Sequence, residues 1–141
     1  MALIHGARGI IDFAHEFKPK FIEAGLPADE EMARGVAAVN RQILDLAPIL
    51  HGPDVVVAAS VKSSEEGVPI DLEVKRHAGA TYVLSVATRG GEARASFTLP
   101  GKGDVRVEVI GEGRAIEADG GRWEDRFAGD RVHLYRIAQG E

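Results

Sequence analysis

The sequence predicts a mainly β protein: an antiparallel β-sandwich of about eight strands, preceded by an N-terminal strand and one long amphipathic helix. Two observations predict it. From residue 54 onward, short alternating apolar and polar runs recur at regular spacing, separated by glycine-rich turns. Before Pro53 the apolar residues recur instead at spacings of three and four. The chain of 141 residues therefore divides near Pro53 into 1–53 and 54–141.

Leu3 to Phe13 is a short, near-continuous apolar run with Gly6 and Gly9 inside it and Ile10, Ile11 and Phe13 at its end. Such runs suit strands buried on both faces, which belong in parallel sheets, and the chain offers this one no parallel partner. Phe17 to Phe21 reads as a loop, because Pro19 disfavours helix at Lys18. Asp29 to about Leu46 is the clearest helix. Asp29 suits the N-cap, and Glu30 and Glu31 suit the positive end of the helix dipole. Met32, Val36, Val39, Ile43, Leu46 and Leu50 form one stripe that must pack on something large. Pro48 marks the helix end, and His51-Gly52-Pro53 is the linker.

The expected strands are Val55–Val61, Leu72–His77, Thr81–Thr88, Ala93–Leu99, Val105–Ile110, Arg114–Ala118, Arg122–Phe127 and Val132–Ile137. Between them lie turn sequences such as Ala78-Gly79, Gly111-Glu112-Gly113 and Asp119-Gly120-Gly121. Leu72 and Val74 oppose Glu73 and Lys75, and Val105, Val107 and Val109 oppose Arg106 and Glu108. Alternation sends Tyr82, with Leu84 and Val86, and Phe97, with Ala93, Ala95 and Leu99, inward.

Apolar residues make up 45 %, charged residues 28 % and aromatics 6 %. That is globular composition. The formal charge of −5, with scattered positive residues, argues against a nucleic-acid or anionic-membrane partner. The absence of cysteine excludes disulfides and thiolate metal sites. No apolar run reaches the roughly 18 residues of a membrane span, and Met1 to Gly6 lacks the pattern of a signal peptide, so a soluble protein is expected.

Several segments resemble one family. Leu3-Ile4-His5-Gly6-Ala7-Arg8-Gly9-Ile10-Ile11-Asp12-Phe13 is similar to the last barrel strand of TIM-barrel glycoside hydrolases. Ala33 to Leu50 resembles the helix that closes such a barrel. Val74-Lys75-Arg76-His77, Thr81 to Ala87, Phe97-Thr98-Leu99-Pro100, Val109 to Arg114, Asp125-Arg126-Phe127 and Val132 to Ile137 resemble the small β-sandwich that often follows. The resemblance covers nearly the whole chain and accounts for the orphan strand. It implies the non-catalytic, mainly structural C-terminal part of a polysaccharide-degrading enzyme that in full length is secreted. It also implies a fragment of a longer glycosidase or a reduced protein, because the earlier barrel strands that carry the catalytic carboxylates are absent. A carbohydrate-binding module and an independent small glycosidase are the alternatives.

No catalytic residues are expected. A glycosidase needs two carboxyls about 5 to 9.5 Å apart. Asp12 and Glu16 lie near the end of the barrel-like strand, where that fold places its chemistry, yet nothing marks them as a pair. His15-Glu16 is no zinc motif, because Pro19 stands where the second His belongs, and no metal or other cofactor is expected. Gly111-Glu112-Gly113 leads into a strand and Arg89-Gly90-Gly91 stands alone, so both are turns. No Gly-x-Ser-x-Gly is present.

Sugars are held by stacking on exposed rings while polar groups read the hydroxyls. Trp123 and Phe127 share a face with Asp125, which is expected to bond a turn amide; Tyr135 and His133 lie opposite Val132 and Leu134. Tyr135 and Trp123, with His133 beside them, are the candidate carbohydrate-binding residues. The expected partners are a polysaccharide, the catalytic barrel, or a second copy of the chain joined through the Met32–Leu50 stripe.

Overall fold

The computed structural model describes residues 2–7, 9–53, 55, 59–129 and 131–138. Two helices, α1 (Gly25–Ala28) and α2 (Glu30–Leu50), precede eight strands: β1 (Ser60–Ser63), β2 (Ile70–His77), β3 (Ala80–Ala87), β4 (Glu92–Thr98), β5 (Val105–Val109), β6 (Arg114–Ala118), β7 (Arg122–Ala128) and β8 (Val132–Ala138). They form two antiparallel sheets, ordered β1-β4-β7 and β2-β3-β8-β5-β6. The expected strands match these closely. The first is displaced: β1 shares only Ser60 and Val61 with the expected Val55–Val61, of which positions 56–58 lie outside the described residues.

The inner faces of the two sheets meet in one apolar layer. Phe97, Trp123 and Phe127 come from the smaller sheet, and Val83, Val107, Val109, Tyr135 and Ile137 from the larger. Trp123 stacks on Phe97 with ring centroids 5.0 Å apart, and Tyr135 meets both rings edge-on. Loops at one end close tightly. A Cβ on Gly121 would stand 2.4 Å from the Leu99 carbonyl oxygen, and its φ of +74° also favours glycine.

Strand β3 corrects one expectation. Tyr82 does not face the sandwich interior. The register pairs Val83 with Val74 and with Tyr135, so Val83 and Ala87 point inward. Tyr82 and Ala80 lie on the outer face, beneath Ile49 and Leu46 of α2. Every residue of β3 is buried, because both faces of this strand are covered. A strand apolar on both faces carries no period-two signal to say which face is inner.

Helix α2 begins where the sequence predicts. The Asp29 side chain accepts hydrogen bonds from the backbone N–H of Glu31 and of Met32, both at 3.0 Å. It runs past Pro48 to Leu50. Proline deletes one helical hydrogen bond, and the chain still closes the last turn through His51 N–H to the Ala47 carbonyl at 2.9 Å. Only the C-terminal turns of α2 sit on the sandwich. Of the stripe, Met32 and Val39 are more than half exposed, whereas Val36, Ile43, Leu46 and Leu50 are partly buried.

The expected N-terminal strand is not formed. Residues 2–6 are turns, closed by His5 N–H to the Ala2 carbonyl and Gly6 N–H to the Leu3 carbonyl. Ile11 is 99 % exposed. A strand needs a neighbour to satisfy its backbone groups, and among the described residues none lies beside this segment. His5 Nε2 instead tethers it to Asp71 of β2 at 3.1 Å.

Candidate functional site

The structure brings the three sequence-predicted sugar ligands together, but inside the sandwich. Trp123, Tyr135 and His133 are all buried. The faces of Trp123 and Tyr135 are taken by Phe97 and by each other, and His133 stands edge-on to Phe127 with centroids 4.6 Å apart. None of the three presents a free ring face. The physical reason is that β7 and β8 turn these positions toward the interface between the sheets, where rings fill the most space.

They surround a charged cluster that the sequence did not reveal. Arg114 of β6 reaches across to Asp125 of β7. Nη1 donates to Oδ1 at 3.0 Å and Nη2 to Oδ2 at 2.7 Å, a bidentate pair that joins the two sheets. The Tyr135 hydroxyl donates to Asp125 Oδ2 at 2.9 Å. The expected turn amide is not the partner: Asp125 accepts the N–H of Arg126 beside it at 2.8 Å. Arg114 Nε donates to Glu112 at 2.8 Å, and His133 Nδ1 contacts the other oxygen of Glu112. His133 Nε2 lies 3.2 Å from the Arg126 carbonyl. Five side chains from β6, β7, β8 and the β5–β6 turn thus close the open edge between the sheets.

The electrostatics agree with a fixed clasp. Burial pushes the Asp125 carboxyl up, but Arg114, the Arg126 N–H and the Tyr135 hydroxyl outweigh it and hold it below its usual range. Glu112 follows the same balance, with Arg114 and His133 outweighing burial. Arg114 is pushed up, chiefly by its bond to Asp125. Burial, then the Asp125 charge, raises the Tyr135 phenol. The cluster thus holds both of its carboxyls toward the ionised form. Its chemistry is that of a cross-sheet staple.

Asp12 and Glu16 lie exposed in the N-terminal segment. Glu16 pairs through its backbone with Ile22, which closes a loop. Around that loop stands a feature the sequence reading passed over. Phe13, His15, Phe17 and Phe21 form a closed circuit of rings, with successive centroids 4.9 to 5.9 Å apart. The signal was the spacing of ring residues at 13, 15, 17 and 21, hidden within what reads as an ordinary proline loop. Among the described residues no three or more His, Asp or Glu gather as metal ligands, and no helix is long and apolar enough to cross a membrane.

No family model matches the chain, and no curated protein matches it. Among solved structures, an Anoxybacillus α-amylase, described as giving insight into a new glycosyl hydrolase subclass, is similar in fold. The TM-score is 0.51 at 13 % identity, and the likeness covers 80 % of this chain and 24 % of that one. The fold is shared with part of a glycosyl hydrolase. The chain spans about a quarter of the length of that enzyme.

Proposed function

We propose that this chain is the C-terminal, non-catalytic accessory part of a polysaccharide-degrading glycoside hydrolase, with a mainly structural role. The observation that carries this reading is the extent of the α-amylase likeness. The strands occupy residues 60–138, little more than half of the chain. A likeness over 80 % of it extends into the helix-bearing segment before them, while involving only 24 % of the larger enzyme. That fits a helix and sandwich shared with part of a larger hydrolase.

Two features of the molecule support the structural role. The sandwich keeps its large rings inside, and its charged cluster spends its hydrogen bonds on joining the sheets. The stripe of α2 leaves Met32 and Val39 exposed, an apolar surface suited to packing on a catalytic barrel. In the isolated chain the same surface pairs two copies.

The reading is tested by incubating the purified chain with soluble starch, β-glucan, xylan and mannan and measuring reducing ends. No release above buffer is expected. Release from any of the four that is proportional to protein would overturn the non-catalytic assignment.

A further inference from the structure

We propose that His133 is a proton-operated latch on the cross-sheet clasp: with both ring nitrogens protonated it fastens the β5–β6 turn through Glu112, and on losing one proton it releases that turn. The proposal stands apart from the accessory reading and does not need it.

His133 is buried on β8, and each of its ring nitrogens faces an acceptor. Nδ1 contacts a carboxylate oxygen of Glu112, and Nε2 lies 3.2 Å from the Arg126 carbonyl oxygen. A neutral imidazole has one N–H and one lone pair, so it satisfies one of these oxygens and repels the other. The imidazolium has two N–H groups and satisfies both. Burial sharpens the difference, because water does not screen the repulsion there.

The surrounding charges agree. Glu112 faces the ring from the β5–β6 turn, Arg114 from β6, and Tyr135 from β8 itself, with ring centroids 6.3 Å apart. From β7 come the Arg126 carbonyl and the Phe127 ring, with Asp125 one hydrogen bond away beyond Arg114. From β3 comes the Ser85 hydroxyl, which donates to the His133 carbonyl at 3.0 Å. With the imidazolium in place, two cations, Arg114 and His133, meet two carboxylates, Glu112 and Asp125. Without the proton one negative charge is left over at a half-buried edge.

The neutral ring has a way out, and it runs through the turn. With the proton kept on Nε2, the bond to the Arg126 carbonyl, fixed in β7, survives. Nδ1 then turns a lone pair on Glu112 and accepts instead from Arg114 Nη2, which already stands 3.5 Å away. The carboxylate is the movable party. Gly111 and Gly113, on either side of it, have φ of +79° and +64°, and a Cβ on either would meet nothing within 4 Å. The turn's own backbone bond, from Glu112 N–H to the Val109 carbonyl, is long at 3.3 Å. Arg114 Nη2 is also the nitrogen that grips Asp125 at 2.7 Å, so the same proton loss slackens the bond between the sheets.

The test is NMR of the isotope-labelled whole chain from about pH 5 to about pH 9, a range that brackets imidazole titration. The ring nitrogens of His133 and the amides of Gly111, Glu112 and Gly113 are followed in the parent and in Glu112→Ala. At the acid end both ring nitrogens are expected to carry protons. As Nδ1 loses its proton, the three amides should shift with the same midpoint and their heteronuclear NOE should fall. In Glu112→Ala the Gly111 and Gly113 amides should lose that response while His133 still titrates. Glu112 is exposed, so the variant keeps the fold, and matching core amide spectra verify it. A ring that holds one proton, or two, across the whole range overturns the latch. So does a titrating ring beside silent amides, and so does an amide response that survives in Glu112→Ala.

Discussion

The Arg114 guanidinium grips Asp125 through two hydrogen bonds, at 3.0 and 2.7 Å, and so fastens the edge strand of one sheet to the edge strand of the other. Arg114 keeps about a third of its side chain in solvent, whereas Asp125 is 7 % exposed. The two partners are therefore not equivalent. Losing Arg114 strands a nearly buried carboxylate, and losing Asp125 frees a cation that can turn to water. Arg114→Met is expected to cost about 2–3 kcal/mol in urea unfolding, below the range for a fully buried pair because of that exposure. The double variant Arg114→Met/Asp125→Leu should recover part of the loss. A cost under about 0.5 kcal/mol for Arg114→Met would mean that the clasp is ornamental.

Acid should loosen the same edge. Asp125 and Glu112 are both held below their ordinary values of 3.8 and 4.5. A depressed carboxyl contributes stability that is present above the unfolded value and is lost as pH falls through the folded one. Stability should thus be steady above about pH 5 and fall increasingly below about pH 4. Asp125→Asn should show a shallower acid limb than the parent in unfolding measured across that range. Parallel curves would show that other groups govern acid unfolding.

Trp123 is the chain's single tryptophan, and its fluorescence reports the core directly. Its indole Nε1 is buried without a hydrogen-bond partner among the described residues. Replacement by phenylalanine therefore forfeits volume but no hydrogen bond, and should cost about 1 kcal/mol in denaturant unfolding. Trp123→Ala opens a cavity against Phe97 and Tyr135 and should cost about 3–5 kcal/mol. Equal losses in the two variants would contradict the packing described.

The β2–β3 hairpin carries a local conflict. Ala78 has φ +47°, a conformation costly for a residue with a Cβ, next to Gly79 at φ +72°. Ala78→Asn creates the Asn-Gly pair that such two-residue turns favour. It should raise stability by about 0.5 kcal/mol, read as a rise of a few degrees in Tm. A fall in Tm would show that the turn uses another geometry in solution.

Met32 and Val39 of the α2 stripe are 54 % and 55 % exposed and lie N-terminal to the turns whose Leu46 and Ile49 touch the sandwich. Light scattering of the isolated chain should show self-association that Met32→Glu and Val39→Glu suppress, with thermal stability unchanged. A monomeric parent at high concentration would sink the pairing of two copies through this face.

Much of this architecture is legible along the chain, because each legible feature is local. Alternation located strands such as β4 and β5, since a half-buried strand writes its two faces into adjacent residues. Asp29 announced its helix because an N-cap is a contact between residues two and three apart. What stayed hidden depends on partners distant in sequence. Leu3 to Phe13 reads as a strand, but a strand exists only beside another, and no described strand lies next to it. Tyr82 could be placed on a face but not told which face α2 would cover. Trp123, Tyr135 and His133 are legible as candidate sugar ligands; whether they face a ligand or one another is decided by how the sheets stack. The Arg114–Asp125 clasp and the Phe13–His15–Phe17–Phe21 ring circuit arise in the same way. Hydrogen-bond complementarity and ring packing are properties of side chains brought together in space, and only the tertiary fold brings them together.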